Sequence, residues 1–418
     1  MSIAQQQRCD SGGAAARAPF SASNEPENDR LRLSPSSRNE ALGGPRILPP
    51  SVDLVFHLPP PYGGVGIHVR RFSSRLRRLG VDCRCYRHWS TAGNPSYRND
   101  LPVMPRGYTR LLPGSWLWFF RYDLLSPKAL VHCHYEFVWS TAILGLRARR
   151  RPVVMTIHNT MSRYMLSRVE FYERWAARRV LADRGIRWIA VSEAAAEQLE
   201  GLGVLERNLT VIPAYLPPEP GSGEVRLPEA ILRFGEAHSP LLSVYGYEFH
   251  RYLEGRDLYG LDICCEALKR LKEDFPGVGL VICLPNYEPG AGADALREQI
   301  HKLQIDDAVL IWTEPIEEAW PLWARSDVYV RPSATDGDSL AVREALDVGC
   351  SVVASDAARR PEGTFLHRTG DAADLHRALL AALRIGKQGH VASVVGEKYF
   401  QQILRVYESA GSWGSQLH

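Results

Sequence analysis

Short segments that are apolar from end to end recur along this chain, most of them followed by a stretch of helical character. They lie at residues 51–56, 130–134, 152–157, 188–191 and 209–212, and again at 241–245, 278–283, 308–311, 328–330 and 351–354. A strand with one wetted face alternates apolar and polar side chains, so a strand apolar on both faces must be covered on both. Such strands alternating with helices specify an α/β fold on doubly wound parallel sheets. Residues 216–240 are rich in Pro, Gly and Glu, including Pro217-Pro218-Glu219-Pro220, and read as a linker between two series. The expected organisation is one Rossmann-like domain at 47–215 and a second at 241–392. The segment 393–418 carries a last helix, at about residues 396–410, that packs back toward the first domain. Two facing sheets of this kind enclose a central cleft, and ligands bind beyond the carboxyl ends of the strands.

Composition removes several function classes. A formal net charge of +3 over 418 residues is too small for a dedicated nucleic-acid binder. The 8 cysteines include no C-x-x-C pair, and no His cluster has zinc spacing, so buried thiols in a reducing cytoplasm are expected. Residues 1–46 lack the apolar core of a secretory signal and read as a disordered tail. No segment reaches the roughly 18 apolar residues of a membrane span; Trp116-Leu117-Trp118-Phe119-Phe120 is too short. In the first helix, Ile67, Phe72, Leu76 and Leu79 are expected inside and Arg70, Arg71, Arg75, Arg77 and Arg78 largely outside, with Gly80 as the stop. That face, with Arg147, Arg149, Arg150 and Arg151, reads as an ordinary solvated surface or as a peripheral contact with an anionic membrane.

Chemistry concentrates in the segment from Arg331 to Leu346. It leaves a strand, turns at Gly337 and enters a helix for which Asp338 or Ser339 supplies the N-cap. Unpaired N–H groups and the positive helix end at Asp338, Ser339 and Leu340 suit a diphosphate. Asp336 can accept hydrogen bonds from sugar hydroxyls and Glu344 from a ribose diol, since a carboxylate offers two acceptor oxygens. The plainer reading is that Asp336 and Asp338 shape a turn and Glu344 is a solvated helix residue.

Together these residues resemble the family 4 glycosyltransferases, which have the GT-B fold of two facing Rossmann-like domains. Asp336 and Glu344 match the family's E-x7-E motif, with Asp for the first Glu. The stretch from Gly349 to Asp356 is similar to its G-x-PVVASD strand, with Ser351 in place of Pro, and Pro361-Glu362-Gly363 follows as in the family. In the first domain, Gly63-Gly64-Val65-Gly66 resembles the family's glycine loop, and Thr156-Ile157-His158-Asn159 resembles its T-x-H-D segment. Val191-Ser192-Glu193 and Val211-Ile212-Pro213 resemble the close of its first domain. The resemblance implies a retaining transferase of the EC 2.4 class. It would move a sugar from a nucleotide-diphosphate sugar to an intracellular acceptor, lipid-linked or small, with no cofactor and no metal. Its implied catalytic residues are His158 and Asp336. Its implied donor-binding residues are Gly63, Gly64, Asp338, Ser339, Leu340, Glu344, Arg256 and Arg331. One departure stands out: Tyr247 and Tyr259 occupy positions where the family places an Arg and a Lys to clamp the diphosphate. Arg251, Arg256 or Arg331, or the helix end, would have to substitute. The alternatives are a catalytically weak sugar-nucleotide-binding protein and a GT-B-fold sugar-nucleotide epimerase. A Rossmann dehydrogenase is disfavoured, because no G-x-G-x-x-G follows the first strand.

Overall fold

The first apolar run becomes the hub of a sheet, because a strand buried on both faces can be flanked on both sides. In the computed structural model this is β1 (Ser51–Phe56), followed by α1 (Gly64–Arg78), β2 (Asp82–Arg87), β3 (Tyr108–Arg110) and β4 (Leu130–His134). Then come α2 (Ser140–Ala148), β5 (Val153–Ile157), α3 (Ser162–Arg168), α4 (Phe171–Ala182), β6 (Ile186–Ala190), α5 (Glu193–Glu200) and β7 (Leu209–Val211). The strands pair in the order β3-β2-β1-β4-β5-β6-β7, all parallel. The order reverses between β1 and β4, which places a crevice at their carboxyl ends. The structure describes residues 48–56, 64–87, 108–110, 129–134, 140–160, 162–218, 226–246, 249, 252–253, 256–285, 291–314, 316–387 and 394–411. The segment 1–46, Gly63, Tyr247, Arg251 and the aromatic run at 116–120 lie outside them, as does the Arg256 side chain.

The second series begins with α6 (Glu229–Ala237) and β8 (Leu241–Tyr245), then a two-stranded hairpin of β9 (Tyr252–Leu253) and β10 (Arg256–Asp257). It continues through α7 (Leu261–Asp274), β11 (Gly279–Cys283), α8 (Ala291–Leu303), β12 (Val309–Trp312), α9 (Trp320–Arg325) and β13 (Val328–Arg331). The remaining elements are α10 (Leu340–Asp347), β14 (Ser351–Ser355), β15 (Thr364–His367), α11 (Ala372–Ile385) and α12 (Val394–Ala410). The sheet order is β12-β11-β8-β13-β14-β15, again all parallel. Both sheets are thus Rossmann-like, as the strand pattern predicts. Phe400, Ile403, Leu404 and Tyr407 of α12 enter the core of the first sheet beside Val52, Leu54, Phe72 and Leu76. Each such side chain contributes roughly 1.5–3 kcal/mol of burial, enough to fix the helix there.

Three details differ from expectation. The strand β2 was not anticipated, because it is not an apolar run: Asp82 and Arg84 alternate with the buried Cys83 and Cys85, Tyr86 is buried after them, and Arg84 bonds Asp53. In α1, Ile67, Phe72 and Leu76 are buried and Arg77 and Arg78 exposed as predicted, but Arg71 and Arg75 are buried and Leu79, just past the helix, is exposed. Gly80 does end the helix, at a φ of 81° that favours glycine. Arg147 pairs with Asp183, and Arg151 lies buried, donating to the carbonyl of Ala129, so neither presents a free cation to a membrane. Among the described residues all 7 cysteines are free and buried, and burial pushes the thiols of Cys264 and Cys283 up to about 12. No helix among them is long and apolar enough to cross a membrane.

Candidate active site

The strand–turn–helix segment of the second domain meets the end of a first-domain strand. A Cβ on Gly337 would stand 2.8 Å from the carbonyl oxygen of His158, so only glycine lets the turn after β13 approach the residue after β5 so closely. Ser339 caps α10, its hydroxyl accepting from Val342 N at 3.4 Å, which decides between the two cap candidates. Leu340 packs with Ile67 and Tyr215 of the first domain, and a Cβ on Gly64 would lie 3.7 Å from its Cβ. Tyr215 also donates to Asp347 at 2.5 Å. Gly64, His158, Arg331, Asp336, Ser339, Leu340 and Glu344 are therefore gathered where the two sheets' carboxyl ends meet.

Each carboxylate of this segment has its own cation. Asp338 accepts two bonds from Arg343 Nε, at 2.7 and 3.0 Å. Glu344 is buried and accepts from Arg71, and from Trp323 Nε1 at 3.3 Å; burial nonetheless raises its pKa. It is therefore not the solvated helix residue of the plainer reading. Arg71 also bonds Glu318 and donates to the carbonyl of Leu216 at 2.6 Å, while its neighbour Arg70 bonds Glu317 and Glu318. Helical periodicity cannot distinguish an outward face from one that meets another domain, which is why these arginines looked solvated.

Asp336 has two cations. Arg331 Nε lies 2.9 Å and Arg360 Nη1 2.8 Å from the same oxygen. Burial would raise its pKa, but the two guanidiniums outweigh it and hold the carboxyl down at about 2. Arg360 is 2% exposed and is boxed in by Ser355, donating to its carbonyl at 3.0 Å and to its hydroxyl at 3.1 Å. Arg331 is the more open of the pair. It donates to the Tyr245 carbonyl at 3.1 Å and lies over the Tyr259 ring, 5.6 Å from the centroid. One carboxylate neutralises one cation, so a surplus positive charge remains at the end of β13. Arg360 belongs to no motif in the sequence, and only its place just after the strand at 351–355 hinted at it.

The first domain contributes four imidazoles. His134 Nδ1 lies 2.7 Å from His158 Nε2, and His68 stands 5.4 and 5.5 Å from the centroids of those rings. His132 stacks against His134 at 4.5 Å and is held between Tyr407 OH at 2.8 Å and Thr156 Oγ1 at 2.7 Å. Burial lowers all four, helped by repulsion from neighbouring imidazoles at His132, His134 and His158 and from Arg71 at His68: His132 falls to about 3, His68 to about 4, and His134 and His158 lie well below the ordinary value. At neutral pH the rings are uncharged and act as hydrogen-bonding groups. Among the described residues no group of three or more His, Cys, Asp or Glu could hold a metal.

Comparison with known proteins gives a consistent result. Residues 62–218 match the model described as Glycosyltransferase Family 4, and 253–384 that described as Glycosyl transferases group 1. The chain is 26% identical over 346 residues to D-inositol 3-phosphate glycosyltransferase of Arthrobacter sp. (strain FB24), covering 76% of this chain and 79% of the relative. It is 27% identical over 329 residues to phosphatidyl-myo-inositol mannosyltransferase of Mycolicibacterium smegmatis, covering 69% and 73%. Sucrose-phosphate synthase from Thermosynechococcus elongatus superposes with a TM-score of 0.58 at 15% identity, over 87% of this chain and 95% of that one. Anabaena HepE in complex with UDP-glucose superposes at 0.55 with 14% identity, over 86% and 93%.

Proposed function

This chain belongs to the family 4 glycosyltransferases of the GT-B fold, and from that premise we propose that it takes its sugar from a nucleoside-diphosphate sugar and transfers it with retention of configuration. The observation that carries the donor assignment is the surplus guanidinium charge of the Arg331–Asp336–Arg360 group, beside the capped start of α10. When the glycosidic C–O bond breaks, negative charge develops on the departing diphosphate. Arg331 and the backbone N–H groups at Ser339 and Leu340 are fixed in advance to meet it, which is electrostatic preorganisation. These groups do without a metal the work a cation would do. The acceptor hydroxyl bonds to the anomeric carbon from the face the diphosphate leaves, and its proton passes to a phosphate oxygen. Asp336 and a ring nitrogen of His158 bond the hydroxyls of the transferred sugar. Glu344 accepts from the ribose diol once Arg71 has yielded one of its oxygens. The binding of UDP-glucose by HepE supports a uridine donor, and the two inositol-related relatives support a polyol acceptor, free or lipid-linked.

The test is a thermal-shift panel of nucleotide sugars, followed by turnover with the stabilising donor. A ligand that binds only the folded state raises its stability by mass action, about 2.7 kcal/mol at a hundredfold excess over Kd. No shift with any nucleotide sugar would reject the donor reading. A shift without transfer or donor hydrolysis would favour a silent binding protein.

A further inference from the structure

The face of α4 turned away from the core bears large aromatic side chains where solvation would call for polar ones. Phe171 is 80% exposed, Trp175 55% and Tyr172 50%, and Tyr164 on the preceding helix α3 is 52% exposed. Phe171, Tyr172, Trp175, Arg178 and Arg179 follow helical spacing and form one stripe, while Ala176, Ala177, Val180 and Leu181 pack inward. Arg163 and Arg168 add exposed cations on α3, against Glu170, between the two helices, as the one exposed acid from Ser162 to Ala182. The cations lie on the aromatics: Arg179 stands 3.8 Å from the Trp175 centroid and Arg168 5.3 Å from that of Tyr164. Arg174 ties the two helices together, donating to the carbonyls of Ser167 and Val169.

We propose that this face of α3 and α4 docks on the surface of an anionic lipid bilayer. Aromatic rings partition to the headgroup boundary, and arginines there gain from the negative surface potential. A second copy of the chain fits less well, because an isologous contact would bring two copies of this same net-positive patch face to face. Of the α1 arginines that the sequence offered for this role, Arg70 and Arg71 are engaged with Glu317, Glu318 and Glu344, and Arg75 with Glu397. Because α3 begins at Ser162, directly after the loop of His158, docking here would bring the site's rim to the lipid surface.

The experiment is flotation of the full chain with vesicles of phosphatidylcholine alone and with vesicles enriched in phosphatidylglycerol, at low and high salt. We expect binding to the anionic vesicles alone, lost at high salt. Phe171→Ser with Trp175→Ser should weaken it by about tenfold or more, and Arg178→Gln with Arg179→Gln by a similar factor. Both pairs are exposed, so melting temperatures should stay at the wild-type value and show that the fold is intact. Equal recovery with both vesicle types, no binding, or wild-type binding by either variant would overturn the proposal. So would light scattering that shows a dimer dispersed by Phe171→Ser with Trp175→Ser.

Discussion

Arg71 of the first domain and Glu344 of the second form an ion pair in which both side chains are almost wholly buried, at 3% and 4% exposure. Glu344 is the residue proposed for the donor's ribose, so the site holds its own cation where a neutral diol is expected. On the proposed assignment, exchanging one partner for the other would couple donor binding to the contact between domains.

Glu344→Gln should therefore weaken nucleoside-diphosphate binding by about tenfold, the scale of one charge-assisted bond, while Glu318 still holds Arg71. Arg71→Met should be the more damaging to stability, by about 3–5 kcal/mol, because it leaves a buried carboxylate without its cation. Calorimetric affinity and chemical denaturation, measured on both variants, separate the two effects. Wild-type affinity in Glu344→Gln would remove the ribose assignment.

Arg360→Gln should lower affinity for a nucleoside diphosphate by about tenfold without affecting the bare nucleoside. With Arg360 gone, Asp336 neutralises Arg331 and the surplus charge disappears. Adding Asp336→Asn in that background should restore most of the loss, since Arg331 is then free of its carboxylate. A double-mutant cycle by calorimetry checks this; additive losses would mean that the three groups do not share one charge balance.

The same triad sets an acid limb. The carboxyl of Asp336 is held at about 2 in the fold, below its ordinary 3.8. Its contribution is complete above the ordinary value and is lost as pH falls through about 2. The shift corresponds to about 2 kcal/mol. Urea midpoints of Asp336→Asn and wild type should differ most near neutrality and converge as pH drops below about 4. A difference independent of pH would place the loss in packing instead.

Chelation offers a separate check. Activity should survive excess EDTA, because in the proposed mechanism Arg331 and the α10 N–H groups carry the leaving-group charge. Loss that magnesium or manganese restores would reject metal independence.

How much of this was legible without coordinates depends on the range of each interaction. The all-apolar strands and Gly80 are local signals, and both carried through. Ser339 as cap is also local, settled by a bond to a residue three positions on. The pairing of Arg71 with Glu344 spans 273 positions, and nothing in the spacing of arginines on α1 announces which face meets a second domain. Arg360 was barely hinted at for a related reason: its contact with Asp336 depends on β14 lying beside β13, so that a residue after one strand reaches the loop after the other. The exposed stripe of α4 shows the converse. Its aromatics look like core residues in sequence, and only burial separates Phe171 and Trp175 from Val180 and Leu181.

The remaining prediction concerns His158 and the ring that holds it. His158 follows β5 and sits at its carboxyl end, with Nε2 engaged by His134 Nδ1 at 2.7 Å. One ring donates in that bond and the other accepts, so His134 governs which tautomer His158 offers to the sugar. His158→Ala should reduce turnover by roughly one to three orders of magnitude, the scale of a lost transition-state contact, with little change in nucleoside-diphosphate affinity. His134→Ala should act more mildly on kcat and differently on pH. In the wild type, burial and then repulsion from His68 and His132 keep His158 neutral far into the acid range, so its protonation causes no loss near pH 6. Without His134 the ring gains water, and its pKa rises toward the ordinary value of about 6.5. An acid limb should then appear in the kcat profile near that value, and His134→Asn, which keeps a side-chain hydrogen-bonding partner, should recover part of the rate. If His134→Ala lowered the melting temperature but left the profile flat per folded molecule, the contact would be structural and His134 would have no part in positioning.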